Sequence, residues 1–163
     1  MERLLCIWFG AGLLRPAPGT WGSAVAVLLG VLLHRIGHFP LLAVATVAVT
    51  VAGFWAVPRY SKGMSDPDRS EIVIDEVAGQ WLALCFPSAA FYLAGMSAEI
   101  FPYPGWLAAF LFFRLFDIWK PWLVGRADRD GGVRGVMLDD LWAGLFAGIA
   151  TIIAAAVAHG VLM

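Results

Sequence analysis

Residues 40–57 read PLLAVATVAVTVAGFWAV, without one charged side chain. A run of this length and character is a candidate membrane helix, because about 20 residues match the thickness of a bilayer's hydrocarbon core. Four further apolar runs lie on either side of it, at Gly22 to Leu33, Val77 to Met96, Gly105 to Val124 and Leu141 to Met163. The pattern predicts an all-α fold, a polytopic integral membrane helix bundle with about five membrane helices. The run from Leu4 to Leu14 is too short to span and reads as a re-entrant or interfacial segment. No small-x-small cleavage site follows it, so it is not read as a signal peptide.

Composition agrees. The 163 residues are 61% hydrophobic and 14% charged, and the mean hydropathy is +0.80. Soluble domains carry about 45–50% apolar and about 25% charged residues. The net charge of -1 offers no basic field for nucleic acid. Cys6 and Cys85 give neither a disulfide framework nor a zinc-ligand spacing. There is no G-x-S-x-G and no phosphate-binding P-loop. The length suits a single domain over residues 1–163.

The loops predict orientation. With five spans, Arg3, Arg15, Arg59, Lys62, Arg69, Arg126, Arg129 and Arg134 fall on one side and Arg35 alone on the other. The positive-inside rule places the first group in the cytoplasm. The connection from Glu99 to Pro104 has no Lys or Arg and is expected outside.

Asp75 and Glu76 open the third run, Asp139 and Asp140 open the fifth, and Asp117 lies within the fourth. A carboxylate at the centre of a span costs about 2.5–3.5 kcal/mol on insertion scales, less near its ends. Four carboxylates brought together would not all stay ionised without a cation. An all-oxygen ligand set without Cys or His selects a hard ion, Mg²⁺ or Mn²⁺ over Zn²⁺. Acidic residues also favour helix N-termini through the macrodipole. Two pairs at one membrane depth, each followed by small residues, favour the metal reading. Gly79 follows Glu76 by three positions, and Gly144 and Gly148 follow Asp140 by four and eight. Such small-residue stripes let helix backbones touch, which would bring Glu76 and Asp140 together.

The basic and glycine-rich stretches leave alternatives open. Arg15 to Ser23, RPAPGTWGS, reads as a turn whose Thr20 or Ser23 caps the next helix, or as an anion site at that helix's N-terminus. Arg114, Asp117 and Lys120 recur at i, i+3 and i+6 before Pro121. They make either an internal ion pair or a phosphate clamp. Arg126 to Gly132 reads as a mixed-charge loop meeting anionic headgroups.

Three blocks then carry a resemblance: FGAGLLRPAPGTWGS (residues 9–23), EIVIDEVAGQW (71–81), and FRLFDIWKPW with ADRDGGVRGVMLDDLWAG (113–144). In order and content the chain resembles the phosphatidylglycerophosphatase A family. The resemblance implies a Mg²⁺-dependent phosphoric monoester hydrolase of the bacterial inner membrane. Its substrate would be phosphatidylglycerophosphate, a phospholipid, converted to phosphatidylglycerol at the cytoplasmic face. Asp75, Glu76, Asp139 and Asp140 would hold the metal. Arg114, Asp117, Lys120 and Asp128 would carry the chemistry, with Thr20, Ser23 and Arg126 binding substrate. Membrane lipids are the expected surroundings, and a homo-oligomer is compatible with this reading. Gln80 stands where the family more often has Met. The rival reading is a small transporter or ion channel, which would also need buried carboxylates but would set them near the midplane.

Overall fold

The computed structural model describes residues 1–63, 69–101 and 103–162. Five positions of the predicted Arg59–Arg69 loop (64–68), Pro102 of the Glu99–Pro104 connection, and Met163 lie outside the described residues. Among the described residues there is no strand. A short helix α1 (Glu2–Cys6) is followed by a 3-10 helix (Trp8–Leu13), and the long α2 runs Pro18–Tyr60. Then come α3 (Ile74–Leu93), α4 (Tyr103–Trp119), α5 (Leu123–Asp130) and α6 (Gly132–Leu162).

The predicted first and second spans form one continuous element, broken at Gly37 and His38, whose dihedrals leave the helical region. His38 has a positive φ of 57°. The chain reverses there. Gly22 lies on Val73 and Gly30 on Leu84 and Trp81, so the first arm runs parallel to α3. Thr46 meets Cys85 and Gly53 meets Ile74, so the second arm runs antiparallel to it. The break is tied down from elsewhere. The His34 ring pairs with Ser88 Oγ at 2.7 Å and with the Ile100 carbonyl at 3.3 Å, and it stacks on Phe101. His38 reaches the Met96 carbonyl at 3.1 Å. The two histidine rings have centroids 4.4 Å apart.

The bundle therefore has two unlike ends. Gly37–His38 and the 96–101 segment lie at one. The start of α2, Tyr60, the start of α3, the end of α4, α5 and the start of α6 lie at the other. The core between them is apolar, with Leu42, Leu84, Phe113 and Met137 buried. The sides are apolar too, and exposed: Leu28, Val44, Val47 and Leu111 all point outward. An apolar exterior of this extent marks a surface that water does not cover. The segment from Leu4 to Leu14 does not span. It folds as α1 and the 3-10 helix across the polar end, where the Val73 amide donates to the Cys6 carbonyl at 2.9 Å.

The expected count of five spans is not confirmed. Among the described residues, two helices are long and apolar enough to cross a membrane, Pro18–Tyr60 and Arg134–Gly160. The helix α3 begins on Asp75, Glu76 and, one turn later, Gln80. Of the others, α4 has 17 residues and carries Arg114 and Asp117. More than half of α3 is buried, whereas α4 buries only Ala109 and Phe113 and turns Leu111, Leu115 and Ile118 outward. Two smaller boundaries also move. The segment Arg126 to Gly132, read as a loop, is mostly helix, as α5. The last helix starts at Gly132 rather than Leu141, so Asp139 and Asp140 stand two turns inside it, beyond reach of its N-terminal amides.

Candidate active site

At the polar end, α3 and α6 cross so closely that their backbones touch. A Cβ on Gly144 would run into the backbone of Gly79, and one on Gly79 into the Asp140 carbonyl and, at 2.6 Å, the Phe113 ring. Only glycine lets the helices approach this far. The crossing places the carboxylates. One oxygen from each of Asp75, Glu76 and Asp140 lies within 4.8 Å of the others. Asp75 and Asp140 are buried, and Glu76 Oε2 is buried without a hydrogen-bond partner. Gly148 is used differently, packing on the ring of Phe86.

Asp139 does not join the three. Its Oδ2 accepts from Lys120 Nζ at 3.0 Å, and its other oxygen accepts from the Asp140 amide. Lys120 also donates to Asp128 on α5, so one ammonium joins α5 to α6. Burial works against the Lys120 charge. The hydrogen bonds and negative charges of Asp128 and Asp139 outweigh it and hold its pKa above the ordinary lysine value. Lys120 does not continue the face of Arg114 and Asp117 as the i, i+3, i+6 spacing predicted. The helix ends at Trp119, and Lys120 and Trp122 take positive φ values of 52° and 44° around Pro121. Such conformations cost about 1–3 kcal/mol each and persist where surrounding contacts impose them. Here one such contact is Gly125, which lies against the Lys120 carbonyl. Arg114 and Asp117 do pair along α4, Nη1 to Oδ2 at 2.5 Å, which is the ion-pair reading. Arg114 Nε remains buried without a partner, and Asp117 also interacts with Asp140.

The substrate-binding expectations divide. Neither Thr20 nor Ser23 caps α2, whose N-cap is Ala17 with no side-chain cap. Ser23 is buried and donates to the Gly19 carbonyl at 2.8 Å. Thr20 lies in the helix's first turn, half-buried. Arg126 is exposed on α5, lining a cleft with Asp130, Arg134 and Trp142 rather than meeting the carboxylates.

Gly19, expected with Pro18 to make a turn, lies instead in the first turn of α2. A Cβ there would strike the Glu76 carboxylate and come within 3.4 Å of Arg114 Nη1. The obstacle is the tip of a flexible side chain, so the fold tolerates the addition while the carboxylate must move. Gly19→Ala is expected to shift the melting midpoint little yet cut turnover by up to about 10²-fold, since misplacement of about 1 Å carries that penalty. Thermal unfolding beside phosphate release checks both halves. Gln80 was noticed only as an unusual residue. It is fully buried with neither amide atom partnered, one turn after Glu76, and that i+4 spacing was the available signal.

Carboxylates gathered at one end of an apolar-sided helical bundle, beside a lysine and an arginine each paired with aspartate, have the make-up of a membrane-associated enzyme that handles phosphate esters. The sequence model of the phosphatidylglycerophosphatase A family matches residues 4–155, and the chain belongs to that family. Phosphatidylglycerophosphatase A of Haemophilus influenzae is 33% identical over 148 residues, covering 89% of this chain and 83% of its own. The Escherichia coli K12 enzyme of the same name is 32% identical over 147 residues, covering 88% and 77%. A Bacteroides thetaiotaomicron protein provisionally named a phosphatidylinositol-3-phosphatase is 34% identical over 142 residues, covering 85% and 83%. No solved structure matches. Family membership makes the chain a phosphatase and does not favour the transporter or channel reading, and the acids stand at one end of the bundle rather than its middle.

Proposed function

We propose that this chain hydrolyses the terminal phosphate of phosphatidylglycerophosphate, giving phosphatidylglycerol and inorganic phosphate. The observation that carries the reading is the convergence of Asp75, Glu76 and Asp140, one oxygen of it buried and unpartnered, beside Arg114 and Lys120. Buried carboxylates this close repel unless a cation joins them, and an all-oxygen set suits Mg²⁺. Asp75, Glu76 and Asp140 would hold that ion, which when bound offsets phosphate charge and makes a water more nucleophilic.

The remaining roles belong to the chain. Lys120 Nζ, kept charged by Asp128 and Asp139, faces the phosphoryl oxygens. Arg114 does the same from α4, oriented by Asp117. Asp117, beside Asp140, is placed to take the proton of the attacking water. Oxygen from that water joins phosphorus, the P–O bond to the glycerol carbon chain breaks, and the departing oxygen gains a proton. Asp139 acts as a positioning residue through Lys120 in this scheme. Thr20 and Arg126 lie outside it.

The same reading sets the bundle in the bacterial inner membrane as a multi-pass protein, with both arms of α2, α3, α4 and α6 running between its two ends. The carboxylate end also bears the arginines of the N-terminus, α5 and the start of α6, so the positive-inside rule turns it to the cytoplasm. A lipid in the cytoplasmic leaflet would reach the site sideways. The test is phosphate release by detergent-purified protein from phosphatidylglycerophosphate, with Mg²⁺ or with excess EDTA, and with phosphatidic acid in parallel. Release from phosphatidylglycerophosphate that EDTA abolishes is the expected result. Equal release from both lipids would broaden the substrate, and none from a folded preparation would overturn the reading.

A further inference from the structure

A groove of about 510 Å³ opens beside Lys120 and runs between α4 and α6. Its walls are two helical stripes. Phe116 and Trp119 come from α4, and Phe146, Ile149, Ala150 and Ile153 from α6 at i, i+3, i+4 and i+7. Phe116 and Phe146 meet edge to face, with ring centroids 6.1 Å apart. Lys120 is the one charged side chain among the lining residues, and it stands at the end nearest the carboxylates. From Phe146 to Ile153 the groove follows α6 for about 10 Å, at 1.5 Å per residue, away from the polar end and toward the bundle's middle.

We propose that this groove seats an acyl chain of the lipid phosphomonoester while Lys120 holds its phosphate. The inference rests on the phosphatase reading and adds to it the place where the tail is recognised. Its argument is complementarity and continuity. The substrate class joins an anionic head to long apolar tails, and the groove joins a cation of the candidate site to an unbroken apolar lining. A lipid standing in a bilayer, head at the polar end, points its chains in the direction the groove runs. Bulk lipid could also fill an exposed apolar furrow. The two differ in whether filling the groove changes catalysis toward long-chain substrate alone.

Ala150 is half-buried on the groove wall and outside the catalytic cluster. Ala150→Trp fills the groove, and Ala150→Leu narrows it with less strain on packing. Each is assayed beside wild type in detergent at fixed surface dilution, with long-chain and dihexanoyl phosphatidylglycerophosphate. Expected is a loss of kcat/KM on the long-chain form of about tenfold or more for Trp, and less for Leu, carried by KM. That scale is what a few methylenes of pocket contact supply. Turnover of the dihexanoyl form stays within about twofold of wild type by the same reasoning. Variants that keep the wild-type long-chain KM, or that lose both substrates alike while remaining folded, overturn the seat. Wild-type release from long-chain substrate reports separately on the phosphatase reading, so the two can fail independently.

Discussion

Asp140→Asn leaves a folded protein that releases almost no phosphate. The substitution keeps the side chain's size and removes one charge and one hard oxygen ligand from the cluster with Asp75 and Glu76. Even residues that merely support a metal ligand are worth about 10–100-fold in activity, so loss of at least about 100-fold is expected for a ligand itself. Stability should move the other way. Two like charges 4 Å apart at an effective dielectric near 20 repel by about 4 kcal/mol. Removing one from a crowded, metal-free cluster therefore leaves the melting midpoint unchanged or raised. A bound ion at 100 times its Kd adds about 2.7 kcal/mol to the wild-type fold, so Mg²⁺ should raise the wild-type midpoint and leave that of Asp140→Asn in place. Wild-type turnover in this variant would remove Asp140 from the site.

Gly144→Val tests the crossing that builds the site. Its side chain would occupy space now held by the Gly79 backbone, and backbone cannot rotate aside as a side-chain tip can. Forcing extra carbons into packed contacts costs about 1–3 kcal/mol. Near this chain length that corresponds to about 2–4 °C per kcal/mol in the midpoint. Separation of the helices also carries Asp140 away from Glu76, so activity should fall together with stability. This pairing distinguishes it from Gly19→Ala, where activity falls nearly alone. Gly148→Ala is the milder companion, since Gly148 meets the Phe86 side chain rather than backbone. A Gly144→Val protein with unchanged midpoint and turnover would mean that the crossing does not set the site.

Much of this arrangement was legible in the chain. DEVAGQW and DDLWAG each put acid and glycine at helical spacing, and the crossing at Gly79 and Gly144 follows from that spacing. The all-helical class followed from uninterrupted apolar runs such as 40–57. What was not legible depended on tertiary contact. Asp139 and Asp140 are equivalent in sequence, yet neighbours on a helix point about 100° apart, and only the packing of α4 decides that Asp139 faces Lys120. Lys120 itself looked like a helix residue until Pro121 and the approach of Gly125 pulled it into a left-handed turn. The count of five spans is not confirmed for a related reason. The charged and polar residues that α3 and α4 carry at the site, Asp75, Glu76, Gln80, Arg114 and Asp117, lower the hydropathy by which a span is recognised.

The reversal at Gly37–His38 bears on how such a chain is made. In the membrane setting proposed above, a hairpin that turns within two residues would bring its arms in as a pair, with Arg35 and His38 at the turn. Their polar turn is not yet satisfied at that moment. His34 finds Ser88 54 positions later and the Ile100 carbonyl 66 positions later. The first two arms therefore lack these partners until the far end of α3 has been synthesised. The turn is thus fixed from downstream, and a nascent chain stopped before residue 88 lacks the contacts of His34 with Ser88 and of His38 with Met96.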